Sequence, residues 1–362
     1  MTENKQSKVP LAGIGSFFHT EEGMEACKMD ISAITHNHQL YYTGRQALLY
    51  LIKMLSESAP INLIWLPEYY CKHVTAWLEE NLDNIAYYNI NPFEQEGTLN
   101  FEEMASPNDI VILNNYWGIF EYEIERKANS PIYIEDHTHG WLSQGCMNSK
   151  ADYCFASLRK SLPIPLGGIC WKPNGELPNL EHLAQEDPDF YPIWEQSERA
   201  MALKSGYIEG IDTDIEREDF LQLFSATEAG LNANFNLVVM KEEHKAIIGK
   251  YLDTNILDHK KRNRQFLSKN LNPNSHFKIL DHHSKTTFGL QVLFQEEQTY
   301  LDFRDYLIQH QIYPSTLWPG NKKEGLWHHM LNIHIDFRYS LEDMAYLASC
   351  INNWKPQKRY LN

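Results

Sequence analysis

Between Thr43 and Lys172, short apolar runs alternate with segments of helical period, and few folds accept that alternation. TGRQALLYLIKMLSES places Ala47, Leu48, Leu51, Ile52 and Leu55 at helical spacing, with Thr43 and Gly44 just ahead of the first turn. INLIWLP (61–67) is an apolar run ended by proline and reads as a strand, and YYCKHVTAWLEENL reads as the helix after it. IAYYNI (85–90), DIVILNNYWG (109–118), IYIED (132–136), DYCFAS (152–157) and GGICWK (167–172) read as further strands. Strands that alternate with helices imply βαβ units. The expected fold is therefore α/β, with a mostly parallel sheet flanked by helices.

The 362 residues suit one large and one smaller domain. Residues 1–35 read as an irregular arm whose Phe17 and Phe18 pack on a neighbouring element or a partner subunit. Residues 180–245 are mainly helical, and 246–270 form one long helical pattern. After Pro273 the runs FKIL, FGLQVLF, FRDYLIQHQIYP, MLNIHI and SLEDMAYLASCI predict a small α/β domain. The predicted division is a large domain with the arm over 1–247 and a small C-terminal domain over 248–362. A formal net charge of −16 argues against sequence-independent nucleic-acid binding, which needs clustered Lys and Arg. The six cysteines are scattered without a C-x-x-C pair, as in a reduced cytoplasmic protein. The polar start MTENKQSKVPLAG leads into no apolar h-region, and no uncharged run reaches membrane-spanning length.

Two residues at strand ends carry the chemical expectation. Asp136 closes IYIED, and Lys160 follows DYCFAS. Ligands of open parallel sheets bind outside the carboxyl ends of strands. A lysine amine that forms an imine with an aldehyde, and a carboxylate that keeps a pyridine nitrogen protonated, are what pyridoxal phosphate (PLP) chemistry requires. Ser157 ends the same strand and is placed to hold a phosphate. Thr43-Gly44-Arg45 opens a helix, whose free N–H groups and positive end also suit one. Each feature alone has a plain structural reading: a turn acid, a surface lysine, an ordinary helix start. Their order along the chain is the specific signal. Ser157-Leu-Arg-Lys160 also matches the S-x-x-K nucleophile motif of β-lactamases. That motif opens a helix, which Pro163 and Pro165 forbid here, and no SDN or KTG follows. His137 and His139 form an H-x-H beside an acid, with His282-His283 and His328-His329 elsewhere. Nothing further has ligand spacing, so no metal is expected.

The same order of motifs resembles the DegT-like (nucleotide-sugar type) aminotransferases of PLP-dependent transferase fold type I. TGRQAL is similar to that family's phosphate-cup turn, WLPEYYC to its proline-aromatic segment, EDHTHG to its aspartate motif, and FASLRKSLPIPLGG to its lysine segment. FRDYLIQHQIYPSTLWP and HIDFRYSLEDMAYLA resemble its small-domain ending. The resemblance implies Lys160 as the lysine carrying PLP, Asp136 as the partner of the ring nitrogen, and His139 against the cofactor. It further implies Ser157 with the Gly44 and Arg45 backbone at the phosphate. The family's ring-stacking position falls on Cys71, so Tyr70 or Tyr69 would take that part. The family's G-x-N-x-R segment is not recognisable, LNANFN (231–236) being the nearest stretch. The implied function is transfer of an amino group from an amino-acid donor to a keto acceptor, such as a nucleotide-linked keto-sugar, by a homodimer. A lyase, racemase or decarboxylase on the same fold, or a non-catalytic relative, is the alternative. Arg338, in DFRY, is the candidate for the donor carboxylate, with a structural salt bridge as its competing reading.

Overall fold

A computed structural model describes residues 13–21, 23–26, 29–93, 101–210, 216–234, 236–280, 285–318, 321, 327 and 329–356. The chain divides into two compact units. Phe18–Asn255 forms one, and residues up to Phe17 join Ile256–Asn362 in the other.

The larger unit is built on a seven-stranded sheet. Its strand order is His38–Tyr41, Gly168–Trp171, Tyr153–Ser157, Ile132–Asp136, Ile110–Asn114, Ile64–Pro67, Ile85–Tyr88. From Tyr153–Ser157 to Ile85–Tyr88 all neighbours are parallel, and the first two strands of that order pair antiparallel. Ile110–Asn114 is buried at every position, which explains its unbroken apolar run: a central parallel strand is covered on both faces. Helix Gly44–Ser58 is also buried nearly all round, from Gln46 to Leu55. Each of its buried leucines is worth roughly 1.5–3 kcal/mol relative to exposure. Thr43 caps it, its hydroxyl accepting from the Gln46 N–H at 3.1 Å.

The long helical pattern read across 246–270 is broken in two. Helices Glu242–Gly249 and Leu257–Asn270 are separate. Between them Asn255 donates its N–H to the Glu25 carbonyl, Tyr251 donates its hydroxyl to Glu21, and Thr254 bridges Ala26. Those long-range bonds outbid the local helical period, and the division between units falls at Asn255 rather than at 247.

The C-terminal unit carries an antiparallel sheet of His329–Ile333, Leu290–Phe294 and Lys278–Ile279, with helices Glu297–Gln309 and Leu341–Asn353. Ile14–Gly15 pairs in parallel with Ile312–Tyr313, so the start of the arm belongs to this unit and not to the large one. Gly15 has φ 119°, and a Cβ there would lie 2.1 Å from the Tyr313 carbonyl oxygen, so only glycine fits. Phe18, the first residue of the larger unit, is buried. No helix among the described residues is long and apolar enough to cross a membrane.

Candidate active site

Strand pairing aligns Asp136 with Asn114 and Phe155, and Ser157 with Gly168, so Asp136 and Ser157 both stand at the carboxyl ends of sheet strands. The Asp136 carboxylate is buried. Oδ1 accepts the Thr138 N–H at 2.8 Å, and Oδ2 accepts the Tyr70 hydroxyl at 2.5 Å. Burial raises its pKa, and the bonds from Thr138 and Tyr70 oppose that rise. Thr138 also ties the two strand ends together, its Oγ1 accepting the Ser157 N–H at 3.0 Å.

Gly44 brings the helix start onto the same spot. A Cβ added to it would lie 2.9 Å from Ser157 Cβ and 3.1 Å from Ser157 N. The first N–H groups of a helix have no partner within it. Here they open beside Ser157. Arg45 turns its guanidinium to the Asn232 side chain and the Leu231 carbonyl, so its contribution to an anion is its backbone.

Lys160 ends the one-turn helix Leu158–Lys160. Solvent reaches its side chain, yet its amine lies among Arg159, Glu228, Cys71 and Arg45. The Arg159 charge, followed by loss of water, lowers its pKa. Glu228 is held down to about 2: burial opposes ionisation, but Arg159 and Lys160 outweigh it. Sequence reading missed Glu228, because nothing local marks it. It arrives from helix Arg217–Ala233.

Tyr70 reaches Asp136 with its hydroxyl, and Cys71 caps helix Lys72–Glu79 without a side-chain hydrogen bond. Tyr69 packs edge-on against Phe93 and Trp117. His139 stacks on Trp117 at 5.6 Å between centroids, 17° from parallel. Trp117 is fully buried with φ 58°, a left-handed conformation that a bulky residue holds only where its surroundings enforce it. Its neighbour Gly118 in the sequence hints at such a turn.

His137 and His139 do not converge. His137 instead joins Glu135 and Cys154, whose ligand-type atoms all lie within 4.8 Å of one another, all buried. Asn115 decides the state of that imidazole. Its Oδ1 accepts from the Phe120 N–H, which turns its amide nitrogen to His137 Nδ1 at 3.1 Å. Nδ1 therefore accepts, and the ring proton sits on Nε2, 3.5 Å from Glu135. Nε2 offers a proton there rather than a lone pair for a metal. His282, His283 and His328 lie outside the described residues, as does Phe235 of LNANFN, while His329 stacks on Tyr300.

Arg338 is not free to bind a carboxylate. Its Nε and Nη2 both donate to Asp336 at 2.8 Å, and its Nη1 donates to the Ser16 and Phe17 carbonyls. With its side chain 3% exposed, it is a structural ion pair of the C-terminal unit.

No protein-family model matches the chain, and no curated protein matches its sequence. Solved structures do match. A protein described as a sugar aminotransferase from Streptococcus pneumoniae, in its PMP form, aligns at TM-score 0.59 and 12% identity over 93% of each chain. A sugar aminotransferase from Micromonospora echinospora aligns at 0.54 and 11% over 96% of this chain and all (100%) of that one. A protein described as a PLP-dependent aminotransferase from Bacillus cereus aligns at 0.54 and 12% over 88% and 87%. At such identities the likeness is one of fold. The chain has the α/β architecture of fold type I PLP-dependent enzymes.

Proposed function

We propose that the protein is a PLP-dependent aminotransferase that moves an amino group from an amino-acid donor to a keto acceptor, a nucleotide-linked keto-sugar being the acceptor class. The observation that carries this reading is the meeting of Gly44 with Ser157 beside the buried Asp136 and the Lys160 turn. Three needs of one cofactor are met there: an anion cradle, a ring-nitrogen carboxylate and an amine.

The residues present fit the group. The Gly44 and Arg45 amides and Ser157 would hold the phosphate. Asp136, with lone pairs left on both oxygens beyond its bonds to Thr138 and Tyr70, would accept the ring N–H. His139, backed by Trp117, would face the ring. When bound, the cofactor supplies an electron sink for the substrate's carbanion. Lys160 Nζ would carry the cofactor and, once released, take the proton from the substrate Cα and return it as general base and acid. Arg338, consumed by Asp336, has no part in this reading, so the donor carboxylate must be met elsewhere. The described cysteines are all free thiols, which suits a reducing compartment such as the cytoplasm. The Streptococcus pneumoniae and Micromonospora echinospora proteins that share its fold are described as sugar aminotransferases, which suits this substrate class.

Borohydride reduction of the PLP-loaded protein followed by peptide mapping should place the pyridoxyl group on Lys160. A label on another lysine, or none, removes this reading. A scan of amino donors against the cofactor's absorbance separates transamination from other PLP reactions.

A further inference from the structure

We propose that the Arg159–Glu228 ion pair sets the charge of the Lys160 amine, with Arg159 favouring the neutral form and Glu228 limiting that effect. The inference rests on the reading of Lys160 as the cofactor lysine, but its geometry stands apart from any cofactor. Arg159 precedes Lys160 in the turn Leu158–Lys160. Its fork is locked by Glu228, with Nη1 2.6 Å from Oε1 and Nη2 3.2 Å from Oε2. Such a bidentate pair holds a guanidinium in one place, where a single contact would let it swing.

The partner is firmly seated. Helix Arg217–Ala233 buries Thr227 and Leu231 on either side of Glu228. The same helix end receives Arg45, through the Leu231 carbonyl and the Asn232 side chain. The groups around the amine therefore come from four elements: Arg159 from its own turn, Glu228 from helix Arg217–Ala233, Arg45 from helix Gly44–Ser58, and Cys71 from the cap of helix Lys72–Glu79. Two fixed cations face one carboxylate, and a further positive charge on Lys160 is disfavoured. Arg159 is the foremost cause of the lowered Lys160 pKa, ahead of burial, while Glu228 and Cys71 work the other way. Glu228, held down to about 2, keeps its charge across the working range.

The consequence is chemical. An ordinary lysine, with pKa about 10.4, is neutral in fewer than about one molecule in 10³ at pH 7. Only the neutral amine can attack an aldehyde or take a proton from carbon. Arg159 is thus a positioning residue that acts through Lys160.

The test reads the amine directly in the full-length protein without cofactor. Trinitrobenzenesulfonate reacts with neutral amines, and mass spectrometry of the Lys160 peptide gives extent of reaction against pH. In Arg159→Gln the midpoint should rise by about one unit, in Arg159→Lys it should stay near that of the unaltered protein, and in Glu228→Gln it should fall. Far-UV circular dichroism confirms that each variant is folded. If Arg159→Gln leaves the midpoint in place, or Glu228→Gln moves it upward, the pair is only a structural clamp and the proposal is overturned. Borohydride mapping of the loaded, unaltered protein reports separately whether Lys160 carries the cofactor, so failure of that reading is distinguishable.

Discussion

At the scale of single residues, the site depends on one carboxylate and a few close approaches. Asp136→Asn keeps the shape but removes the charge that a protonated ring nitrogen needs. A charge-assisted hydrogen bond of that kind is worth about 2–3 kcal/mol, so turnover should fall on the order of 10²-fold while PLP still binds, more weakly. Steady-state kinetics beside a PLP titration checks this, and near-normal turnover would refute the role. Gly168 makes a different demand. A Cβ there would lie 2.1 Å from the Thr43 carbonyl oxygen and 2.7 Å from Gly44 N, both backbone atoms that cannot swing away. Gly168→Ala should therefore cost about 1–3 kcal/mol and weaken phosphate binding together with stability. Denaturant unfolding with and without phosphate measures both.

Elements are tied by charges that titrate. Asp336 sits beyond strand His329–Ile333 and grips Arg338; against the cost of burial, that guanidinium holds Asp336 well below the usual carboxylate range. The folded pKa lies below the unfolded value of about 3.9. The stabilisation is therefore fully present above that pH and is lost as pH falls through and below it. Breaking such a buried pair from one side costs about 3–5 kcal/mol. Asp336→Asn should lower the melting temperature strongly at pH 7, and the gap to the unaltered protein should close below about pH 4. A constant gap down to pH 3 would mean that the pair contributes no charge energy. Lys260, on helix Leu257–Asn270, is 5% exposed, and its burial lowers the pKa to about 8 despite Asp336 nearby. An amine with a depressed folded pKa destabilises below that pH, and the penalty is relieved as pH rises from about 8 to the unfolded value near 10.4. Lys260→Met should stabilise by about 1–3 kcal/mol at pH 7 and by little above pH 10.5. Urea titrations at the two pH values decide it.

For the whole molecule, the proposed function carries a quaternary expectation, since enzymes of the family that the motifs resemble are expected to act as homodimers. Sedimentation at micromolar concentration should show a dimer that holds its activity, and a fully active monomer would contradict it. A net charge of −16 works against nonspecific association, so a dimer under these conditions would require a specific interface.

Period and punctuation were enough to define the larger unit's parallel strands and helix Gly44–Ser58. Those signals are local: an apolar run bounded by Pro67 or Gly167, or a stripe behind Thr43, needs no distant partner to be read. Gly44, Asp136 and Ser157 could be singled out for the same reason, because each stands at the end of an element whose type was clear, and Lys160 follows Ser157 by three residues. Strand His38–Tyr41 was not legible, since it exists through pairing with Gly168–Trp171. Nor was the break at 250–256, which long-range bonds to Glu21, Glu25 and Ala26 impose on a helical pattern. The state of His137 and the arrival of Glu228 beside Arg159 were decided by tertiary structure alone. In both cases the deciding partner comes from a different element, and charge and hydrogen bonding depend on distance in space rather than distance along the chain. For Arg338 the sequence already offered an ion pair beside a free fork, and the folded structure closes the fork on Asp336, two residues away.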